Sequence, residues 1–194
     1  AKAMGEIELA KMLAEKNIET FHKKGINKVI TLSPHAFNSM KNDYPAIGAH
    51  FNVFHYSQVL ANLPKQVTFD ESRSPTRITY HDSCYLGRHN AEYASARTIL
   101  NKIPGIEIVE MNRNLNNSLC CGGGGGNIFS DILSAGNDHP SRVRVREAFD
   151  TGAQILAVSC PGCFIMLEDA IKVEKLEGQL KVCELSEVIQ QHLE

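Results

Sequence analysis

The chain lacks the features that mark a membrane-spanning or exported protein. No stretch of its 194 residues approaches the roughly 20 consecutive apolar positions that a spanning helix needs. The strongest apolar candidate, residues 155–167, is interrupted by Pro161 and Gly162. No charged-then-apolar leader opens the sequence. Excess charge is also missing: the net charge is −2, which excludes the basic footprint of a nucleic-acid-binding protein. An apolar fraction of 43% and a charged fraction of 22% describe an ordinary globular chain. Any membrane association is therefore expected to come from parts outside this chain, and the expected compartment is the cytoplasm.

What the chain does have is six cysteines. Without a leader they point to a reducing compartment, where clustered cysteines serve metal binding or redox chemistry more often than structural disulfides. Cys183, standing alone, reads as a small apolar core residue. The other five are set apart by their spacing.

The sequence also repeats itself. Gly25, Pro34 and Phe37 recur as Gly152, Pro161 and Phe164 at a constant offset of 127, each set around an apolar strand and a Pro turn into a helix. Downstream, residues 52–60 resemble residues 181–189, each a short strand followed by a Ser (Ser57, Ser186) that can cap a helix. Two copies of one α/β unit follow from this, at residues 1–70 and 76–194, with a polar linker at 71–75. Cys183 aligns with Phe54, which again makes it a strand residue. Ser33 and Ala36 stand where the second copy has Cys160 and Cys163, so the first copy lacks those thiolates. The first copy's equivalents of Cys120 and Cys121 would fall before Ala1, so the chain is expected to begin inside a repeat of a longer polypeptide.

Helices are expected at residues 6–24 (apolar face Ile7, Met12, Leu13, Ile18), 57–63, 93–102, 141–151 and 164–173. Strands are expected at 29–32, 53–55, 77–80, 107–110 and 155–158. This alternation predicts an α/β fold of two related three-layer units, each a small parallel sheet flanked by helices.

Cys84 and Cys160 both follow strand ends, where ligand-binding loops gather in parallel sheets. Cys120 and Cys121 are adjacent and precede five glycines; Cys160 and Cys163 form a C-x-x-C. Neighbouring side chains diverge, so a vicinal pair suits a single tetrahedral zinc poorly and a polynuclear iron–sulfur cluster better. Zinc and a vicinal disulfide remain as alternatives. The run beginning Gly122, Gly123 and Gly124 is a weak nucleotide-loop signal, because no apolar strand precedes it. Around a cluster, such glycines permit close backbone approach and N–H donation. His81 is a candidate to relay a proton or to donate a hydrogen bond to sulfur. Asp82 and Ser83 read as helix caps, and Arg88 as a charge that balances a cluster. Arg142, Arg144 and Arg146 read in part as a solvated helix face, and His35, in the degenerate turn, as a remnant.

The pattern Cys84-(35 residues)-Cys120-Cys121-Gly122-(37 residues)-Cys160-x-x-Cys163 resembles the cysteine-rich CCG domain of heterodisulfide reductase subunits and their relatives. These include iron–sulfur subunits of glycolate, lactate and glycerol-3-phosphate oxidation, and reductases linked to electron-transfer flavoprotein and menaquinone. The resemblance implies that Cys84, Cys120, Cys121, Cys160 and Cys163 bind a [4Fe–4S]-type cluster, cubane or non-cubane. It also implies redox partners, a flavoprotein or ferredoxin-like domain, and a membrane or quinone-binding portion outside this chain. Many relatives have C-P-x-C where this chain has Ser33-Pro34-His35-Ala36. One intact site favours an electron relay between a soluble donor and a quinone pool at the cytoplasmic face of a membrane. The alternatives are direct disulfide reduction at the cluster, with His81 as proton donor, and a zinc-stabilised interaction module.

Overall fold

The structure, a computed structural model, describes residues 1–62, 67–130 and 136–194. In chain order the elements are α1 (Ile7–Lys23), β1 (Lys28–Thr31), α2 (Pro34–Asn38), β2 (Asn52–His55), α3 (Tyr56–Ala61), β3 (Thr76–Tyr80), α4 (Gly87–Asn90), α5 (Ala94–Leu100), β4 (Ile106–Ile108), α6 (Asn127–Ser130), α7 (Pro140–Asp150), β5 (Ile155–Val158), α8 (Pro161–Val173), β6 (Lys181–Glu184) and α9 (Leu185–Gln191). Among the described residues they form two parallel sheets, β1-β2 and β4-β3-β5-β6. The fold is α/β, with small parallel sheets flanked by helices.

The internal repeat is visible as register. Lys28 pairs with Asn52 in the first sheet, and their counterparts Ile155 and Lys181 pair in the second. Each second strand runs directly into a helix, and each entry is closed the same way. The N–H of His55 donates to the Gln58 side chain at 3.0 Å, and the N–H of Glu184 to the Glu187 carboxylate at 2.9 Å. Both helices therefore start ahead of Ser57 and Ser186, which do not cap them. The expected end of the first of these helices, at Leu63, lies outside the described residues.

The four-stranded sheet is buried on both faces, as parallel sheets are. Alternation along β5 sends Leu156 and Val158 to one face, against Val145 of α7 and Leu167 of α8. It sends Ala157 to the other, with Cys183, Ile99 of α5 and Val188 of α9. Cys183 is thus a fully buried strand residue, on the face opposite to Cys121, Cys160 and Cys163. Phe69 bridges to Leu193 and packs on the second of these faces.

One expectation fails here and a second is narrowed. The proposed apolar face of α1 is not buried: Ile7, Met12 and Leu13 are exposed. The helix is anchored instead by Phe21, edge-on to Phe51 at 5.3 Å, and by Asn17, bonded to the Tyr44 hydroxyl. Arg144 is not on a solvated face but wholly buried. Helical spacing puts it on the same inward stripe as Ser141, Val145 and Ala148. Among the described residues no helix is long and apolar enough to cross a membrane.

Candidate metal centre

Three loops, which follow β3, β4 and β5, bring the five motif cysteines together. The first leaves β3. His81 extends the ladder by one bond, its N–H donating to the Ala157 carbonyl at 2.9 Å. The chain then turns, with the N–H groups of Leu86 and Gly87 both donating to the Ser83 carbonyl, and Cys84 sits in that turn.

The second loop, which carries Cys120 and Cys121, has little regular structure and is held by side chains from elsewhere. Asp82, buried, accepts two bonds from the Arg97 guanidinium at 2.7 and 2.9 Å and a third from the Leu115 N–H at 2.8 Å. It is therefore a bracket between loops and not a helix cap. Arg88 is exposed and donates to the Ser118 carbonyl at 2.8 Å, which places it on the outside of this loop and not among the residues lining the sulfur cavity. Arg144 reaches the same loop from within, donating to the Arg113 carbonyl at 2.6 Å and the Ser118 hydroxyl at 3.3 Å.

The third loop follows β5. Cys160 precedes α8, Pro161 opens that helix, and Cys163 lies in its first turn. Pro is favoured there because its missing N–H has no helical partner to lose, and residues three apart share a helix face. In the first copy Ser33 takes the place of Cys160, and its hydroxyl accepts from the Ala36 N–H at 3.3 Å as a cap for α2.

The five sulfurs line one cavity, and each perturbs the ionisation of the next in an unbroken series: Cys84 and Cys120, Cys120 and Cys121, Cys121 and Cys163, Cys163 and Cys160. All are free, so no vicinal disulfide is present among the described residues. Thiols this close cannot all ionise without positive charge between them. Hydrogen bonds from Cys121 and Cys84 hold the Cys120 pKa well down, and a bond from Cys163 holds Cys160 down. Bonding to Cys120 raises Cys84 and Cys121, and bonding to Cys121 raises Cys163.

A cavity of about 390 Å³ opens over this array, lined by the cysteines, Ser83, Gly123, Gly124, Pro161 and the first residues of the chain. Gly122 does not line it. Its N–H donates to Cys120 Sγ at 3.3 Å, from a backbone at φ +84° that favours glycine. A Cβ on Gly123 would stand 2.8 Å from Met166 Cγ and 3.8 Å from Cys121 Sγ, so the close approach needs glycine. Two buried polar atoms in this region, His81 Nε2 and Ser83 Oγ, have no hydrogen-bond partner among the described residues. A ring nitrogen of His81 and the sulfurs of Cys121 and Cys163 all lie within 4.8 Å of one another. Burial first, and Arg144 second, push the His81 pKa down to about 3. Five converging thiols, unpartnered donors and a glycine-lined approach fit a polynuclear anionic group.

His35, read from the sequence as a remnant, faces this site. Its side chain lines the cavity with Cys160 and helps to lower that thiol's pKa, and its ring lies 4.0 Å from that of Tyr85, the neighbour of Cys84. The repeat alignment sets His35 opposite Gly162 and so holds the only sequence signal for it. Arg144 and Ser118 were missed because nothing local marks them.

Residues 78–168 match the family model of the cysteine-rich domain, CCG. The chain is 38% identical over 192 residues to the probable iron-sulfur-binding oxidoreductase FadF of Bacillus subtilis, covering 98% of this chain and 27% of that protein. It is 31% identical to the EtfAB:quinone oxidoreductase of Syntrophomonas wolfei, covering 100% of this chain and 28% of that protein. It is 34% identical to a component of the dihydromethanophenazine:CoB–CoM heterodisulfide reductase of Methanosarcina barkeri, covering 96% of this chain and 46% of that protein. The chain thus spans between about a quarter and a half of the length of these relatives.

Proposed function

Residues 78–168 of this chain are a cysteine-rich CCG domain, and from that premise we propose that Cys84, Cys120, Cys121, Cys160 and Cys163 hold one [4Fe–4S]-type cluster in an iron–sulfur oxidoreductase. The observation that carries this reading is the convergence of five thiols from three separate loops on one cavity. When bound, the cluster supplies one-electron redox chemistry. The protein's own contribution is to bind and to shield. Arg97, Asp82 and Arg144 fix the loops that present the sulfurs. Gly122 and Gly123 allow the backbone to close on them.

The role proposed for the larger protein is a relay from a soluble, flavoprotein-type donor to a quinone pool at the cytoplasmic face of a membrane. Support comes from the names of the relatives, an iron-sulfur-binding oxidoreductase and an EtfAB:quinone oxidoreductase. Ser33 and Ala36 in place of two thiols argue for one cluster in this chain, which suits a relay. The test is iron and sulfide counting with EPR on anaerobically purified protein. About four irons per chain are expected. Zinc without iron or sulfide would replace this reading with a zinc-stabilised module, and about eight irons would give the first copy a cluster of its own.

A second reading, direct disulfide reduction, is favoured by one observation: Cys84 and Cys120 are only half-buried and line the open cavity. A disulfide that perturbs the EPR signal of the loaded protein would support it.

A further inference from the structure

We infer that Arg144 locks His81 as a neutral imidazole whose Nε2–H is left free to donate a hydrogen bond to a sulfur of the loaded centre, so that His81 raises the reduction potential of the centre and is neither its ligand nor its acid. The inference rests on the cluster reading above and concerns which atom carries a proton.

The guanidinium of Arg144 is fully buried and every bond it makes is a donation. Nε donates to His81 Nδ1 at 3.1 Å, Nη1 to the Arg113 carbonyl and the Glu147 carboxylate, and Nη2 to the Ser118 hydroxyl. Arginine offers no lone pair and does not deprotonate in proteins. The proton between the two side chains therefore belongs to Arg144, and Nδ1 must present its lone pair. A neutral imidazole has one N–H, which is then on Nε2.

That N–H is buried, and no acceptor among the described residues meets it. A buried donor without an acceptor is costly, and native sites seldom keep one without a function. The nearby acceptors are the sulfurs: a ring nitrogen of His81 lies within 4.8 Å of those of Cys121 and Cys163, and Nδ1 is already engaged. Hydrogen bonds to the sulfurs of a cluster favour its more negative, reduced state and so raise its potential. The same proton position closes the other two roles. A ligand needs a lone pair at Nε2. An imidazolium acid needs a second proton on Nδ1, where Arg144 already points a charge.

The test uses the cluster-loaded chain, with His81→Gln, which keeps an N–H near the Nε2 position, and His81→Leu, which removes it. Iron and sulfide should be equal in all three proteins. The midpoint potential from EPR-monitored titration should fall in His81→Leu and stay near the parent in His81→Gln. Arg144→Leu should also lower it, and the double His81→Leu/Arg144→Leu variant should fall no further than His81→Leu alone. Loss of iron in both His81 variants would make the residue a ligand and overturn the inference, and so would equal potentials with iron retained. Should the substitutions prevent folding, ENDOR on 15N-histidine-labelled protein in a His35→Phe background decides. A weak 15N coupling with an exchangeable proton is expected, and a strong ligand-type coupling, or none, overturns the inference. If the parent chain binds no iron at all, it is the cluster reading that fails.

Discussion

Each cysteine is judged by where its sulfur points. Cys84 and Cys183 are chemically identical, yet one sits in a turn past β3 against Cys120, and the other lies inside the sheet, on the far face. Cys84→Ala should abolish or strongly deplete cluster iron. Cys183→Ala should leave the iron content unchanged and cost about 1 kcal/mol of stability by denaturant unfolding, the scale of one small buried group lost. Asp82 behaves differently again. Its carboxylate compensates a largely buried guanidinium, so Asp82→Ala leaves Arg97 with Glu110 as its one carboxylate among the described residues and frees the Leu115 N–H. A loss of about 3 kcal/mol is expected, in the range for breaking a buried pair, together with lower iron occupancy, because the loop carrying Cys120 loses its bracket.

At the level of elements, the site depends on joints more than on the helices and strands themselves. The strands end in register, and Cys160 and Cys163 ride on the start of α8. The vicinal pair has no such support, and Gly122 provides its geometry. Gly122→Ala would force an alanine to φ +84° and set its Cβ 3.1 Å from His139 Cε1. The conformational cost alone is about 1–2 kcal/mol. The expected outcome is a lower unfolding midpoint and reduced iron per chain, whereas Gly178→Ala, also at positive φ but with open space around it, should lower only stability. The strands and most of the helices were legible in the sequence to within a few residues, because period-2 and period-3.6 patterns record burial directly. The buried face of α1 was not, because amphipathic spacing states which residues could be covered and not whether anything covers them. The inward stripe of α7 was written in the spacing of Ser141, Val145 and Ala148, but the charge of Arg144 hid it.

For the whole molecule, the two copies are joined across their equivalent ends. The Tyr56 hydroxyl, at the start of α3, donates to Glu184 at 2.9 Å, at the end of β6. Burial raises the Glu184 pKa to about 7. The folded chain therefore keeps a proton that the unfolded chain releases above its ordinary carboxylate value of 4.5. The associated stability is complete below that value and is lost as pH rises through about 7. Glu184→Gln keeps an acceptor for Tyr56 and does not ionise. Its melting temperature relative to the parent should thus climb between pH 5 and pH 8, and a difference that is flat over that range would show that Glu184 does not titrate there.

The sequence alone determined the chemistry available to this protein: five thiols in a specific spacing, glycines beside the vicinal pair, and a first segment with Ser33 and Ala36 where the second has Cys160 and Cys163. Those are properties of covalent order, and order is what a sequence records. Only the tertiary structure decided which groups surround the sulfurs. It brought His35 across from the degenerate copy, folded Arg144 inward onto His81 and turned Arg88 away, because contacts between residues tens of positions apart depend on how loops close in space, which no local pattern encodes.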